Sequence, residues 1–439
     1  MARDVVLIGL GREAAAAAAY FRATAPGTKL FVSDDNADKA RAFALTHNAT
    51  FVAIADLVAQ TPPNALYLRA PGAPPHHATL AALAGAGRYL TTYLGYWLLA
   101  HRPAVMATIT GSKGKSTTTS LTGLILQQTG LDAHVGGNIG VVPESAPGTE
   151  RWVFETSSYQ LHDIPAAAPV HALTSLYPEH LDWHGGFENY LAAKLRPFTI
   201  DANCQGVIPH ALRDRVAHLP NRFFFADDHA HIKPDAITIF KEGDDARVAF
   251  SPEGAQRLAD NPLLRHNLGV AATVALIASG LSPAAIARAA SAAVDAWAGL
   301  PSRQALVGHY AGRIWIDDAL ATIPQATLAA LQQWPNRPVK LIMGGRDRHQ
   351  DFTTMIDYVN AREDVTIFAF NDSAKRVGAE VKRATIVANM EEALAAAYAA
   401  SAPGDVILFS PAGATQEAGL SYQDRARRFA EFARSKDHG

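Results

Sequence analysis

The sequence predicts an α/β protein of three successive blocks, each a parallel sheet covered by helices. Three observations predict it. Short apolar runs at 5–8, 29–32, 65–68, 105–108, 152–154, 172–175, 339–343, 365–370 and 405–409 alternate with longer Ala- and Leu-rich stretches, the rhythm of βαβ units. Two glycine turns, at Gly9 and Gly111, each follow a strand and open a helix. The length of 439 residues suits two to four domains, and a hydrophobic content of 49% can fill cores of that size.

Charge narrows the function classes. Lys and Arg number 39 against 41 Asp and Glu, a formal net charge of −2. Such a chain has no global electrostatic reason to bind nucleic acid or an anionic membrane, so any anion must be held by a local site. Cys204 is the single cysteine, which excludes an internal disulfide and a multi-cysteine zinc site. It reads as a buried or idle thiol in a reducing compartment. The first apolar run, 5–8, lacks the length of a signal-peptide core. The Ala-rich segment 270–280 is about half a membrane span and reads as a buried helix. A cytoplasmic protein without membrane insertion is expected.

The first block opens with Val5-Val-Leu-Ile-Gly9-Leu10-Gly11-Arg12-Glu13-Ala14, a strand, a G-x-G-x-x-A turn and a helix. Gly9 permits a tight turn, Gly11 admits a phosphate to the backbone, and the helix start offers free N–H groups. The next strand ends at Asp34-Asp35, placed to bond a ribose hydroxyl. The alternative is a plain α/β turn that needs glycine for geometry alone. A further turn, Arg69-Ala-Pro-Gly72-Ala-Pro-Pro75, follows a later strand, at the carboxyl end where open sheets bind ligands.

The second block carries the stronger signal. Thr110-Gly111-Ser112-Lys113-Gly114-Lys115-Ser116-Thr117 follows a strand and starts a helix. Its Gly-Lys-Ser matches the end of a P-loop, although Ile109 stands where the first glycine of the usual pattern belongs. Successive N–H groups would form an anion nest, Lys115 would reach the β- and γ-phosphates, and Ser116 would ligate Mg²⁺. Glu155 ends a neighbouring apolar strand and can serve as the acidic metal partner. Glu179-His180-Leu-Asp182-Trp-His184 packs two acids and two histidines after another strand end, where catalytic loops collect. A neutral His180 can hold a second metal ion. Lys194 lies on the following helix and, from its local residues alone, reads as a surface lysine.

Taken together, Gly111 to Thr117, Gly136-Gly-Asn138-Ile-Gly140, Glu155-Thr-Ser157-Ser158-Tyr159-Gln160, Glu179 to Gly185 and Lys194 resemble the Mur ligases of peptidoglycan synthesis. The resemblance runs in order over nearly the whole chain and is nearest to the glutamate-adding, MurD type. That family's P-loop also lacks the first Walker glycine. The resemblance implies three domains: 1–97, Rossmann-like and UDP-substrate-binding; 98–298, a central P-loop ATPase with a mostly parallel sheet; and 299–439, Rossmann-like and amino-acid-binding. It implies ATP-dependent ligation of glutamate to UDP-N-acetylmuramoyl-L-alanine through an acyl phosphate, by a monomer using ATP and two Mg²⁺ ions. D-glutamate is the implied amino acid. An L-glutamate-adding variant is the alternative, and the segment 177–186 looks somewhat closer to it.

Roles follow by position. Lys115, Glu155, His180 and Lys194 match catalytic residues, with Ser116, Glu155, His180 and a carbamylated Lys194 at the metals. ATP falls to Gly111, Ser112, Lys113, Gly114, Lys115, Ser116, Thr117, Asn267, Arg303 and Asp318. The UDP-substrate falls to Gly9, Leu10, Gly11, Arg12, Asp34, Gly72, Asn138, Ser158 and Gln160. Glutamate falls to Arg348, Thr415 and Tyr422. Departures from the pattern cluster in the third block: Ala319-Leu320 for Ser-Lys, Arg348 for Lys, Thr415 for Ser, and Gly419 and Tyr422 for Phe. Arginine at 348 still grips a carboxylate, by a bidentate fork. Three rival readings stay open at this point: a folylpolyglutamate-synthetase-like ligase, a nicotinamide oxidoreductase argued from Gly9 and Gly11 alone, and a non-catalytic nucleotide scaffold.

Overall fold

The computed structural model describes residues 3–437 apart from 140, 260, 298, 347–349, 414 and 416–420, and excludes the side chains of 373 and 375. It divides the chain into two compact units, Met1–Trp297 and Ala298–Gly439. The α/β class with parallel sheets holds in both.

The first unit contains two parallel sheets. Five strands run in the order 50–51, 30–33, 5–8, 66–69, 90–91, so the opening strand Val5–Ile8 is central. All four of its side chains are buried, as expected of a parallel strand covered on both faces. Six strands form the second sheet in the order 223–225, 205–208, 170–173, 105–110, 151–155, 133–137. The P-loop strand Val105–Thr110 therefore lies between Val170–Leu173 and Arg151–Glu155. The carboxyl ends of these three neighbours converge, which brings Gly111, Glu155 and Thr174 together.

The two sheets share a core. Tyr93, Leu94, Trp97 and Leu98, on the helix Tyr93–Ala100, pack in one cluster with Val5 and Leu7 of the first sheet and Trp152 and Phe154 of the second. Trp97 meets Phe154 edge-on at 5.4 Å, a favourable aromatic geometry. The Ala-rich segment at 270–280 lies in the helix Pro262–Ser279, whose residues from Asn267 to Leu276 are all buried. Its ends follow from sequence: the Asn261 side chain accepts from Leu264 N, Pro262 takes the first helical position, and Gly280 closes it at φ 69°. Among the described residues no helix is long and apolar enough to cross a membrane. Cys204 is buried, and burial pushes its thiol up to about 12.

Sequence patterning misses the three-stranded antiparallel sheet 230–232, 236–241, 244–249. Its last strand begins Asp244-Asp245 and is mostly exposed, so no apolar run marks it. The second unit holds a six-stranded sheet in the order 305–310, 313–317, 406–409, 339–344, 365–370, 384–386. Only its edge hairpin is antiparallel. That hairpin turns at Ala311-Gly312, both with positive φ, the backbone that suits a tight two-residue connection.

Candidate active site

The P-loop backbone is shaped around its neighbours. Gly111 has φ 152°, and a Cβ there would lie 2.1 Å from Thr174 Oγ1. Gly114 has φ 84°, and a Cβ there would lie 2.5 Å from Asn267 Oδ1. Both positions therefore need glycine. Thr174 Oγ1 donates to the Lys113 carbonyl at 2.6 Å, and Thr118 Oγ1 to Asn267 Oδ1 at 3.4 Å. Lys115 Nζ donates to the carbonyls of Gly111 and Ser112, both at 2.9 Å, which folds the side chain over its own loop. Lys113 pairs with Glu179 at 2.6 Å. Ser112 Oγ donates to the Tyr177 carbonyl at 2.8 Å and lies 2.7 Å from the Tyr190 hydroxyl, so it holds the loop instead of facing solvent. Thr117 is half-buried on the first helical turn.

Two oxygens beside this loop stand out. Ser116 Oγ and Glu155 Oε2 are buried and have no hydrogen-bond partner among the described residues. Glu155 Oε1 accepts from Asn138 Nδ2 at 2.6 Å, which fixes the carboxylate and leaves the second oxygen available. Buried polar atoms without partners are rare and call for an explanation. Two hard oxygen donors at a P-loop fit Mg²⁺, which takes one or two protein ligands and completes its shell with phosphate and water. No group of three or more His, Cys, Asp or Glu forms a protein-only metal cage among the described residues.

Lys194 corrects the reading from its local residues. It is 1% exposed, and its Nζ donates to the Gly111 carbonyl at 3.0 Å and Thr110 Oγ1 at 3.2 Å. Burial drives its amine well below the ordinary lysine value, and Lys115 pushes the same way against Glu179 and Glu155. His171 supports it from behind. The buried ring sits between Thr108 Oγ1 at 2.8 Å and the Lys194 carbonyl at 3.0 Å, and burial lowers it to about 4. His180 adopts φ 56° at the start of the helix Leu181–His184, and its ring leans on Tyr159 at 4.9 Å. Burial also lowers His180, with Lys115, Lys194 and Lys113 adding to it and Glu179 opposing.

The first glycine turn opens onto a second part of the same unit. A cavity of about 140 Å³ is lined by Gly9, Gly11, Arg12, Pro71, Asn138 and Gln160, among others. Residues expected at the UDP-substrate from both sheets thus meet in one cleft. Gly9 has φ 79°, and a Cβ there would lie 2.7 Å from Ala70 Cβ. Leu10 is buried, and its N–H is held by Asp34 at 2.8 Å. Asp34 also receives Lys39 at 2.8 Å. Its partial burial opposes the charge, but Lys39 and the bonds from Leu10 and Asn36 hold the carboxyl below its usual range. Ser158 Oγ lies 3.0 Å from His184 Nε2, and Trp183 Nε1 donates to the Gly72 carbonyl at 3.1 Å.

Glu13, which lines this cleft, and Arg69, which braces the turn beside it, are structural residues that sequence reasoning missed. Gln160 Nε2 donates to Glu13 Oε1 at 2.6 Å. Arg69, buried at a strand end, pairs with Asp163 at 2.6 Å and donates to the Tyr159 carbonyl at 2.7 Å. The available signal was a lone acid in an Ala-rich helix and a lone cation ending an apolar strand.

In the second unit, Asp317 and Asp318 flank the turn carrying Arg303. Ser302 Oγ donates to Asp317 Oδ2 at 2.9 Å, and Gln304 N to Asp318 Oδ1 at 3.2 Å. Ser302 and Gln304 both have positive φ, and Arg303 between them is exposed. Ser410 Oγ donates to Asp318 Oδ2 at 2.7 Å, and burial raises Asp318 to about 7. Arg425 is buried and donates to the carbonyls of Gly344, Ala319 and Gly413, joining three loops at strand ends. Thr415 and Tyr422 are half-buried, while Arg348 and Gly419 lie outside the described residues.

Comparison with known proteins decides the family. Residues 109–211 match the Mur ligase middle domain, and 302–413 match the Mur ligase glutamate ligase domain. The chain is similar to the UDP-N-acetylmuramoyl-L-alanine–L-glutamate ligase of Micromonospora sp., at 32% identity over 98% of this chain and 96% of that one. The chain belongs to the Mur ligase family. It is an ATP-dependent, amide-bond-forming ligase. It also resembles the UDP-N-acetylmuramoylalanine–D-glutamate ligase of Koribacter versatilis, at 31% identity over 76% of this chain and 75% of that one. Among solved Mur ligases, the UDP-N-acetylmuramate-alanine ligase MurC of Thermotoga maritima shares the fold, with a TM-score of 0.59, 16% identity, and coverage of 98% and 99%. As a Mur ligase the chain uses ATP and Mg²⁺, the requirement general to the family.

Proposed function

We propose that this Mur ligase joins glutamate to UDP-N-acetylmuramoyl-L-alanine. One observation carries the reading: Asn138 lines the first-sheet cleft and bonds to Glu155 beside the P-loop. A substrate held in the cleft by its nucleotide end would present its far end near the phosphate site. The substrate carboxylate takes the γ-phosphoryl group of ATP, and ADP leaves. The free amine of glutamate attacks the acyl carbon, phosphate departs carrying the proton that the nitrogen gives up, and an amide remains. Two anions meet in the first step, so positive charge must be concentrated there. Lys115 is the fixed cation of the loop. Ser116 and Glu155 would hold a Mg²⁺ bound with the nucleotide, and the ion would supply Lewis-acid neutralisation there.

Lys194 and His180 are assigned to a second ion. A buried, uncharged amine is a nucleophile toward CO₂, and the carbamate formed would supply the oxygens that an amine lacks. His180, kept neutral by burial, offers a ring nitrogen. The remaining P-loop residues and Asn267 are assigned to ATP, as are Arg303 and Asp318. Arg348, Thr415 and Tyr422 are assigned to glutamate. The three-domain division at 98 and 299, a monomeric state and a cytoplasmic location belong to the same proposal.

The sequence reading put D-glutamate first and L-glutamate second. The full-length coverage of the L-glutamate-named relative supports reversing that order. The assay is direct: purified protein, ATP, Mg²⁺ and UDP-N-acetylmuramoyl-L-alanine, with L- or D-glutamate in parallel. Phosphate and a dipeptidyl product are expected with the L-enantiomer. Product with D-glutamate alone restores the first order, and no product with either overturns the function.

A further inference from the structure

Glu13 joins three separate elements. It sits in the first turn of the helix Arg12–Thr24, two residues past Gly11. Its Oε1 accepts from Gln160 Nε2 at 2.6 Å, and its Oε2 accepts from Leu94 N at 3.3 Å, at the start of the helix Tyr93–Ala100. Gln160 is itself doubly held. Its Oε1 accepts from Ser157 N at 2.9 Å and from Ser157 Oγ at 3.1 Å, closing a capping box on the turn Ser158–Leu161. The Gln160 side chain is therefore a strut with its oxygen on one sheet's turn and its nitrogen on the other's. It is 2% exposed, yet both it and Glu13 line the cleft. The cap of the turn that it braces, Ser157, lies two residues after Glu155.

We propose that Glu13 is a positioning residue for the UDP-substrate: its carboxyl orients the Gln160 amide and sets the spacing between the two walls of the cleft. This rests on the reading of that cleft as the UDP-substrate site. A carboxylate is suited to the task because it accepts on both oxygens, whereas an amide accepts on one only. Burial raises the Glu13 carboxyl, while Gln160, Leu94 N, Tyr93 N and Arg69 counter it, so the contacts work against the cost of enclosing the charge.

The test compares Glu13→Ala, Glu13→Gln, Gln160→Ala and the Glu13→Ala/Gln160→Ala double variant with the wild-type chain. Calorimetry gives the affinity for UDP-N-acetylmuramoyl-L-alanine and for ATP, kinetics gives KM and kcat, and thermal melts establish folding. Glu13→Ala is expected to raise Kd and KM for the UDP-substrate about tenfold, with the Kd for ATP unchanged. Glu13→Gln, which keeps one acceptor, should recover most of that loss. The double variant should bind no more weakly than Gln160→Ala, because both deletions remove one contact. A merely structural role would instead depress the melt and the affinities for both ligands together. The proposal is overturned if a folded Glu13→Ala binds the UDP-substrate as the wild type does, or if the two deletions add. A wild-type chain that does not bind the UDP-substrate overturns the functional reading itself.

Discussion

Asn138 Nδ2 donates to Glu155 Oε1 at 2.6 Å while Glu155 Oε2 stays buried without a partner among the described residues. One amide thus aims a carboxylate: it engages one oxygen and leaves the other for a ligand. Removing it should free the carboxylate to rotate and leave a second buried acceptor unmet, at about 1–3 kcal/mol. Asn138→Ala is expected to raise the Mg²⁺ concentration needed for half-maximal phosphate release at least about tenfold. An unchanged Mg²⁺ titration would remove Glu155 from the metal site.

The P-loop prediction rests on space. With φ 152° and a Cβ only 2.1 Å from Thr174 Oγ1, alanine at 111 cannot fit without moving the loop. Gly111→Ala should weaken ATP binding by at least about tenfold and cost on the order of 1–3 kcal/mol in unfolding free energy. Nucleotide titration and denaturant melts measure the two separately. Wild-type ATP affinity in a folded Gly111→Ala protein would contradict the loop's assignment.

Lys194 should respond to carbon dioxide. Its amine is held well below the ordinary lysine value by burial, which favours the uncharged form that reacts with CO₂. Carbamate formation adds CO₂ to the nitrogen and releases a proton, so falling pH reverses it. Protein equilibrated with ¹³C-bicarbonate is expected to show a carbamate carbon resonance that Lys194→Ala lacks. Ligation should fall after CO₂ is stripped at acid pH and return with bicarbonate. Activity indifferent to bicarbonate, with no resonance, would exclude the modification.

His171 makes stability fall toward acid. Burial lowers its folded value to about 4 from the ordinary 6.5, against the hydrogen bond with the Lys194 carbonyl. The unfolded chain therefore binds a proton more readily than the fold does. This contribution is fully present above pH 6.5 and is lost as pH falls toward about 4, up to on the order of 3 kcal/mol. Denaturant melts across that window should show a shallower slope for His171→Gln than for the wild type. Equal slopes would mean that the ring is not titrating between the two states.

Much of the fold was legible before any coordinates. Apolar runs separated by Ala-rich stretches report parallel strands and covering helices, because each element must hide one face and does so at its own period. The P-loop was legible for the same local reason: Gly111, Gly114, Lys115 and Ser116 act through backbone conformation and adjacent N–H groups, which neighbours in sequence share. The exposed strand Asp244–Ala249 was not legible, because alternation weakens when neither face is deeply buried.

What the sequence by itself determined is the α/β architecture, the phosphate loop and the set of motifs that mark a Mur ligase. Only the tertiary structure decided how those motifs act on one another. Glu13 and Gln160 stand 147 positions apart and meet because the two sheets of the first unit share one core. Lys194 looks like a surface lysine on its helix, and becomes a buried amine with a lowered pKa because that helix lays it under the Gly111 carbonyl. Charge state depends on desolvation and on opposing groups within a few ångströms, and neither is a property of neighbouring letters. A sequence names the groups. Folding sets their distances, and those distances fix which oxygen is free and which amine gives up its proton more readily.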